Sequence, residues 1–232
     1  HLYLLDLAAR KVEAITGGPF DDADPAWSPD GARIAFVSER GTRDPDRENN
    51  ADLFVVAARA GAAPVQLTRF AGPDAGPPAW SPDGSTIAYL QGDEPRFSAY
   101  NQFQLAVVAA AGGTPRLLTA ALDRPVSSVA WTAAGAALLF VVEDDRAGWV
   151  GRVPAAGGAV ERLTSGRRVV SSLSVGRDGG VALLAGTAGK PDEVHVLAGG
   201  ELRQLTRHND EVVAGLELAA PEDVTFTAKD GT

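Results

Sequence analysis

The pentapeptide Trp27-Ser28-Pro29-Asp30-Gly31 returns letter for letter as Trp80-Ser81-Pro82-Asp83-Gly84. Each copy is followed by a short apolar run, Ile34-Ala35-Phe36-Val37 after the first and Ile87-Ala88-Tyr89-Leu90 after the second. Recurrence of this kind is the signature of a repeat architecture, and it constrains the fold more than any single residue does. The turn chemistry is readable within the five letters. Pro29 presets φ at the second turn position, Ser28 and Asp30 can bond the backbone locally, and Gly31 tolerates φ > 0. Such a reversal suits adjacent antiparallel strands.

The rest of the unit follows the turn. A polar stretch, Ser38 to Asn50, leads to a third strand, Asp52-Leu53-Phe54-Val55-Val56, a turn at Ala58-Arg59-Ala60-Gly61, and a fourth strand, Val65-Gln66-Leu67-Thr68. The second copy repeats this order. Looser copies open at Trp131-Thr132-Ala133-Ala134-Gly135 and at Val175-Gly176-Arg177-Asp178-Gly179. A Leu-Thr or Ile-Thr pair closes each unit, and Thr16, Thr68, Thr119, Thr164 and Thr206 stand 52, 51, 45 and 42 residues apart. Four short strands at that period predict propeller blades. A helical solenoid would need apolar residues at 3.6-residue spacing, and none is present.

The chain therefore reads as all-β, a β-propeller of four-stranded antiparallel blades. A half-blade occupies 1–18, full blades occupy 19–70, 71–121, 122–166 and 167–208, and 209–223 begins a last one, with strands at Val212 to Leu218 and Val224 to Thr227. The two ends can complete one composite blade, giving five, or the chain can be an arc of a larger ring. The arc is favoured, because the chain begins without Met, contains none, and so reads as a fragment.

Composition excludes several function classes. Thirty acids against 21 bases give a net charge of −9, which disfavours nucleic acid, whose phosphates demand clustered Lys and Arg. With no Cys, disulfides and Cys-based metal or nucleophile chemistry are excluded. No apolar run approaches the roughly 20 residues that span a bilayer, and no membrane partner is expected. The first residues lack the basic start and apolar centre of a signal peptide.

Chemistry within the chain is sparse. A serine hydrolase needs an exposed nucleophile, usually in G-x-S-x-G, with a His base and an orienting acid. That motif is absent, and His1, His195 and His208 have no Ser in such a context, so no catalytic residue is assigned. His195, alternating with Val194 and Val196 in a third strand, reads as structural, and His208 reads as polar surface. Asp21, Asp22 and Asp24 cluster three carboxylates of the kind Ca²⁺ favours, but without the spaced ligands and glycine of an EF-hand loop. They read as a solvated lead-in, and no metal or cofactor is expected. Trp27, Trp80 and Trp131 share one repeat position and read as packing between blades. Recognition is expected on the loops between second and third strands, since loops carry variable polar groups on a rigid scaffold.

The W-S-P-D-G turn, the D-L-F-V-V third strand and the A-A-G-G-x-x-x-x-L-T fourth strand, in that order, resemble the TolB-like "WD40-like" propeller repeats. These occur in TolB and in the propeller of the prolyl oligopeptidase (S9) family of serine peptidases, and within it the likeness is to acylaminoacyl-peptidases and dipeptidyl-peptidase-like members. The tail, Pro221-Glu222-Asp223-Val224-Thr225-Phe226 through Asp230-Gly231-Thr232, is similar to the segment by which S9 peptidases leave the propeller. The resemblance implies that 224–232 starts a linker to an α/β-hydrolase domain outside this chain. It implies a non-catalytic propeller that gates short peptides to that domain's active site, in a cytoplasmic parent enzyme able to form homo-oligomers. It also implies that propeller loops hold the peptide, which makes Arg96, Tyr100, Glu143 and Arg146 the candidate substrate contacts. The alternatives are a TolB-like periplasmic scaffold for protein partners and a standalone carbohydrate- or peptide-binding propeller.

Overall fold

The computed structural model describes residues 1–42, 44, 47–93, 102–219, 221–227 and 229. A hairpin, β1 (Tyr3–Asp6) and β2 (Lys11–Ala14), comes first. Four antiparallel blades follow. The first holds β3 (Asp22–Trp27), β4 (Arg33–Ser38), β5 (Asp52–Ala57) and β6 (Val65–Gln66), and the second β7 (Asp74–Trp80), β8 (Thr86–Gln91), β9 (Gln104–Ala109) and β10 (Arg116–Leu117). The third holds β11 (Val126–Trp131), β12 (Ala137–Asp144), β13 (Ala147–Pro154) and β14 (Glu161–Arg162), and the fourth β15 (Val169–Val175), β16 (Val181–Thr187), β17 (Lys190–Ala198) and β18 (Glu201–Gln204). One parallel pair, Gly148 with Val169, ties the third blade to the fourth.

The apolar pattern explains why the blades stack. Along β4, Ile34 and Phe36 face the β1–β2 hairpin while Ala35 faces the second blade. Along β8, Ile87 and Tyr89 face back while Ala88 faces forward. The second strands are thus buried on both faces, and this is why they read as unbroken apolar runs instead of alternating ones. Each fully buried Leu, Ile or Phe contributes about 1.5–3 kcal/mol. Packing also dictates small residues: Gly151 lies opposite Phe140, and a Cβ there would meet the ring at 2.6 Å.

The repeated turn is built as its letters require. Gly31 donates to the Ser28 carbonyl at 2.9 Å, Arg33 N–H to the Ser28 hydroxyl at 2.9 Å, and Ala32 N–H to the Asp30 carboxylate at 3.0 Å. Gly31, Gly84 and Gly135 take φ of 69°, 69° and 68°, the left-handed region that glycine enters without a Cβ clash. The tryptophans join blade to blade, with Trp80 Nε1 donating to the Ala26 carbonyl at 3.0 Å and Trp131 Nε1 to the Ala79 carbonyl at 2.8 Å. Trp27 departs from the expected packing and is 52% exposed, because only a two-stranded hairpin precedes its blade. The closing threonines end each outer ladder. Thr16, Thr68, Thr119, Thr164 and Thr206 accept the backbone N–H of Leu2, Leu53, Leu105, Val150 and Val194 at 2.8–2.9 Å.

The expected strands after Thr206 are not formed. Asp210–Ala214 is a short helix, α1, and residues 215–219 and 221–227 carry no strand. Two acids in its first turn, Asp210 and Glu211, favour a helix start. A strand here would also need a neighbouring ladder, and no further blade strand lies beside it among the described residues. The two ends do not pair with each other: no ladder joins β1 or β2 to the fourth blade among the described residues. Val12 of the hairpin and Leu184 of the fourth blade remain exposed. No helix among the described residues is long and apolar enough to cross a membrane.

Candidate functional site

Antiparallel order sorts every connection to one of two ends. The Trp-containing turns and the turns before fourth strands lie at one end. The loops joining second to third strands, the closing threonines and the starts of all first strands lie at the other. The turn end carries an open cleft of about 550 Å³ lined by Trp27, Pro29, Pro82, Trp131 and Arg177. The loop end carries the polar chemistry.

Of the four candidate contacts, Arg96 and Tyr100 lie outside the described residues. Glu143 and Arg146 share the β12–β13 hairpin at the loop end. Glu143 is exposed and pairs across the ladder with Gly148. Arg146 sits in a two-residue turn in which Asp145 and Arg146 both have positive φ, 43° and 64°, as tight hairpin turns demand. Its guanidinium is engaged: Nη1 meets Asp223 at 2.9 Å and Nη2 meets Asp145 at 3.0 Å. Arg167 pairs with the other Asp223 oxygen. Asp223 belongs to the tail, so two arginines fix where the tail leaves the blades. Arg124 and Asp144, 2.6 Å apart, add a further pair on this rim.

Beneath the loops lie buried charges. Asp22, expected in a solvated cluster, has a fully buried carboxylate that takes three hydrogen bonds of 2.6–3.2 Å from Arg40. Burial alone would raise its pKa, but Arg40, Thr16 and Ser38 hold it below the ordinary range. Asp21 and Asp24 are exposed as expected. At the same place in the next blade, Asp74 is 2% exposed and receives the Thr68 hydroxyl. Asp52, also 2% exposed, lies 3.3 Å from that hydroxyl and accepts Gln66 Nε2 at 2.7 Å. Burial pushes Asp74 up to about 7, with the Asp52 charge adding to it, and burial pushes Asp52 up to about 6. The signal was present as a spacing: an Asp stands six residues after both Thr16 and Thr68.

In the fourth blade, Glu193 is held down to about 2 by the Thr206 hydroxyl and the Asn209 backbone N–H. His195 is buried, as its strand position predicts, with Nδ1 2.9 Å from the Glu193 carbonyl and Nε2 3.4 Å from Arg168. No three His, Cys, Asp or Glu side chains converge among the described residues. The site offers charged loops, a fixed exit for the tail and buried carboxylates.

No family model matches the chain. Over 121 residues, 51% of the chain, it is 30% identical to the uncharacterized peptidase YuxL of Bacillus subtilis, and the match spans 17% of that protein's length. Among solved structures, it superposes on a puromycin-hydrolyzing peptidase of Mycobacterium tuberculosis with TM-score 0.72 and 19% identity, covering 89% of this chain and 34% of that one. It superposes on a putative TolB of Agrobacterium tumefaciens with TM-score 0.66 and 19% identity, covering 87% and 72%. The chain has the propeller fold shared by TolB-like proteins and the propeller domains of S9-type peptidases.

Proposed function

We propose that this chain is the non-catalytic propeller of an S9-type serine peptidase and gates short peptides to an α/β-hydrolase domain that follows it. The observation that carries this reading is the clamp on Asp223. Arg146 and Arg167 hold the tail at the loop end, so a domain continuing from Val224 would sit over the variable loops. Filtering is then steric, with loop side chains such as Glu143 and Arg146, and Arg96 and Tyr100 of the neighbouring loop, meeting the peptide. On this reading the protein is cytoplasmic.

The reading frame beyond Thr232 is expected to hold an α/β-hydrolase-sized domain of roughly 250 residues with a G-x-S-x-G motif. The chain alone is expected to leave a chromogenic peptide uncut, and turnover by it would refute the proposal. A stop directly after Thr232, with a signal peptide upstream, would favour a TolB-like scaffold instead. In the parent enzyme, alanine at Arg96, Tyr100 and Glu143 is expected to raise peptide KM, and unchanged KM in all three would remove the loops from recognition.

A further inference from the structure

Among the described residues, three buried side-chain acceptors lack any donor: Asn50 Oδ1, Asp74 Oδ1 and Gln104 Oε1. All three belong to the loop end of the first two blades. Asp74, Gln91 and Gln104 are successive partners across the second blade, so their side chains share one face. Asn50 adjoins Ala51, whose carbonyl accepts the Asp74 N–H at 2.7 Å. Asp52 shares the Thr68 hydroxyl with Asp74. An unmet buried acceptor is costly, and an unpaired buried carboxylate more so. Three unmet acceptors at one end of one seam leave a place for a shared partner.

The preceding seam shows what that partner is. There the equivalent carboxylate, Asp22, binds the guanidinium of Arg40, two residues beyond the end of β4. A guanidinium closes the Asp22 carboxylate there, whereas Asp74 Oδ1 meets no hydrogen-bond donor.

We propose that the seam between the first and second blades binds a calcium ion through Asp74 and Asp52, with Asn50 and Gln104 as amide-oxygen ligands. Two carboxylates balance the charge of a divalent ion. The remaining ligands are neutral hard oxygens, the set that Ca²⁺ accepts in six- to eight-fold, flexible geometry and that suits Mg²⁺ poorly. The ion would stand where Arg40 stands in the first seam and would fix the loop after β4 to the start of β7.

The test uses the chain freed of divalent ions with a chelator, at pH 7.5. Added CaCl2 at about 1 mM, in the range of weak protein calcium sites, is expected to raise Tm by about 3 °C, and the same concentration of MgCl2 by much less. Tb³⁺ is expected to luminesce through Tyr89, whose hydroxyl donates to Gln91, the cross-strand partner of Asp74, and Ca²⁺ to quench that signal. Asp74→Asn is expected to abolish both effects, while Asp123→Asn on the surface keeps them. Absence of any Ca²⁺ shift and Tb³⁺ signal, or their survival in Asp74→Asn, would overturn the proposal. Should Asp74→Asn fail to fold, Asp52→Asn and Gln104→Ala are each expected to weaken Tb³⁺ binding at least tenfold, and unchanged affinity in both would overturn it.

Discussion

The seam between the hairpin and the first blade and the seam between the first and second blades are built on one repeat, yet they carry opposite electrostatics. Both place an Asp at the start of an inner strand, six residues after a closing Thr. Asp22 meets Arg40 and is held charged, while Asp74 meets Thr68 and a second carboxylate and is pushed toward neutrality. In the third blade the position is Val126, buried against Val142, and needs no charge at all. Three solutions at one position show that the fold requires only that the space be filled and its polar atoms satisfied. The charged versions at the loop end are therefore open to other uses.

The largest expected effect breaks the first seam. Arg40→Met leaves the Asp22 carboxylate buried without its guanidinium, a change that costs about 3–5 kcal/mol when one partner of a buried pair is removed. Urea unfolding at pH 7 measures it. Adding Asp22→Asn to Arg40→Met is expected to recover much of the loss, because the unpaired charge is then gone. Equal stability of the single and double variants would show that packing of Arg40 on the Phe20 and Phe36 rings, and not charge, holds this seam.

The second effect sharpens the contrast through pH. Asp74 is raised in the folded chain, so the unfolded chain releases its proton first. In chelator its contribution is fully present below about pH 4, the ordinary carboxylate range, and is lost as pH rises toward about 7. Asp22 is lowered, so its contribution is present above that ordinary range and is lost as pH falls. Asp74→Asn is expected to remove the fall of stability between pH 4 and 7, and Asp22→Asn to remove the loss in acid. Chemical denaturation across pH reads both, and a profile unchanged by Asp74→Asn would contradict the raised carboxyl.

How far was this legible in the sequence? The frame was, because its parts are local. A turn of fixed letters, a two-face apolar strand and a closing Thr each leave their mark within a few residues. The seams were not, because Asp22 finds Arg40 only through the register of β3 against β4, and a run such as Asp21-Asp22-Ala23-Asp24 does not say which carboxylate turns inward. Pleating turns Ala23 away from Asp22, and the bulge that follows, where Asp24 takes a φ of 52°, turns Asp24 out. The strands expected at Val212 to Leu218 failed for a related reason. A short apolar run fits helix or strand, and a missing neighbour tips it toward helix. Arg146 was picked out as a charged loop residue, but that it clamps Asp223, 77 positions away, depends on where the tail returns.

A smaller effect tests the turn end, where the blades are alike. Trp131→Phe keeps most of the ring but removes the hydrogen bond to the Ala79 carbonyl. The expected cost is about 1–2 kcal/mol, one hydrogen bond plus a partly buried acceptor left unmet. Trp27→Phe is expected to cost less than half of that, because Trp27 has no preceding inner strand to bond and is half exposed. Equal losses at the two positions would mean that the ring, and not the indole N–H, ties blade to blade.

The smallest effect on stability bears most directly on function. Asp223→Ala removes ion pairs to Arg146 and Arg167 that are largely solvent-exposed, and exposed pairs are worth about 0–1 kcal/mol. Global unfolding should scarcely change. The tail beyond Pro221 has little else to hold it: Val224 and Phe226 are exposed, Phe226 at 85%. Freed from its clamp, it is expected to be cut faster by a trace of chymotrypsin at Phe226 while the blades stay intact. If the clamp sets the entry of a following domain, the same substitution in the longer protein should change KM for peptides more than kcat, since the gate moves and the catalytic groups do not. A cleavage rate at Phe226 unchanged by Asp223→Ala would mean that the two arginines do not position the tail, and would remove the main structural support for placing a hydrolase over the loop end.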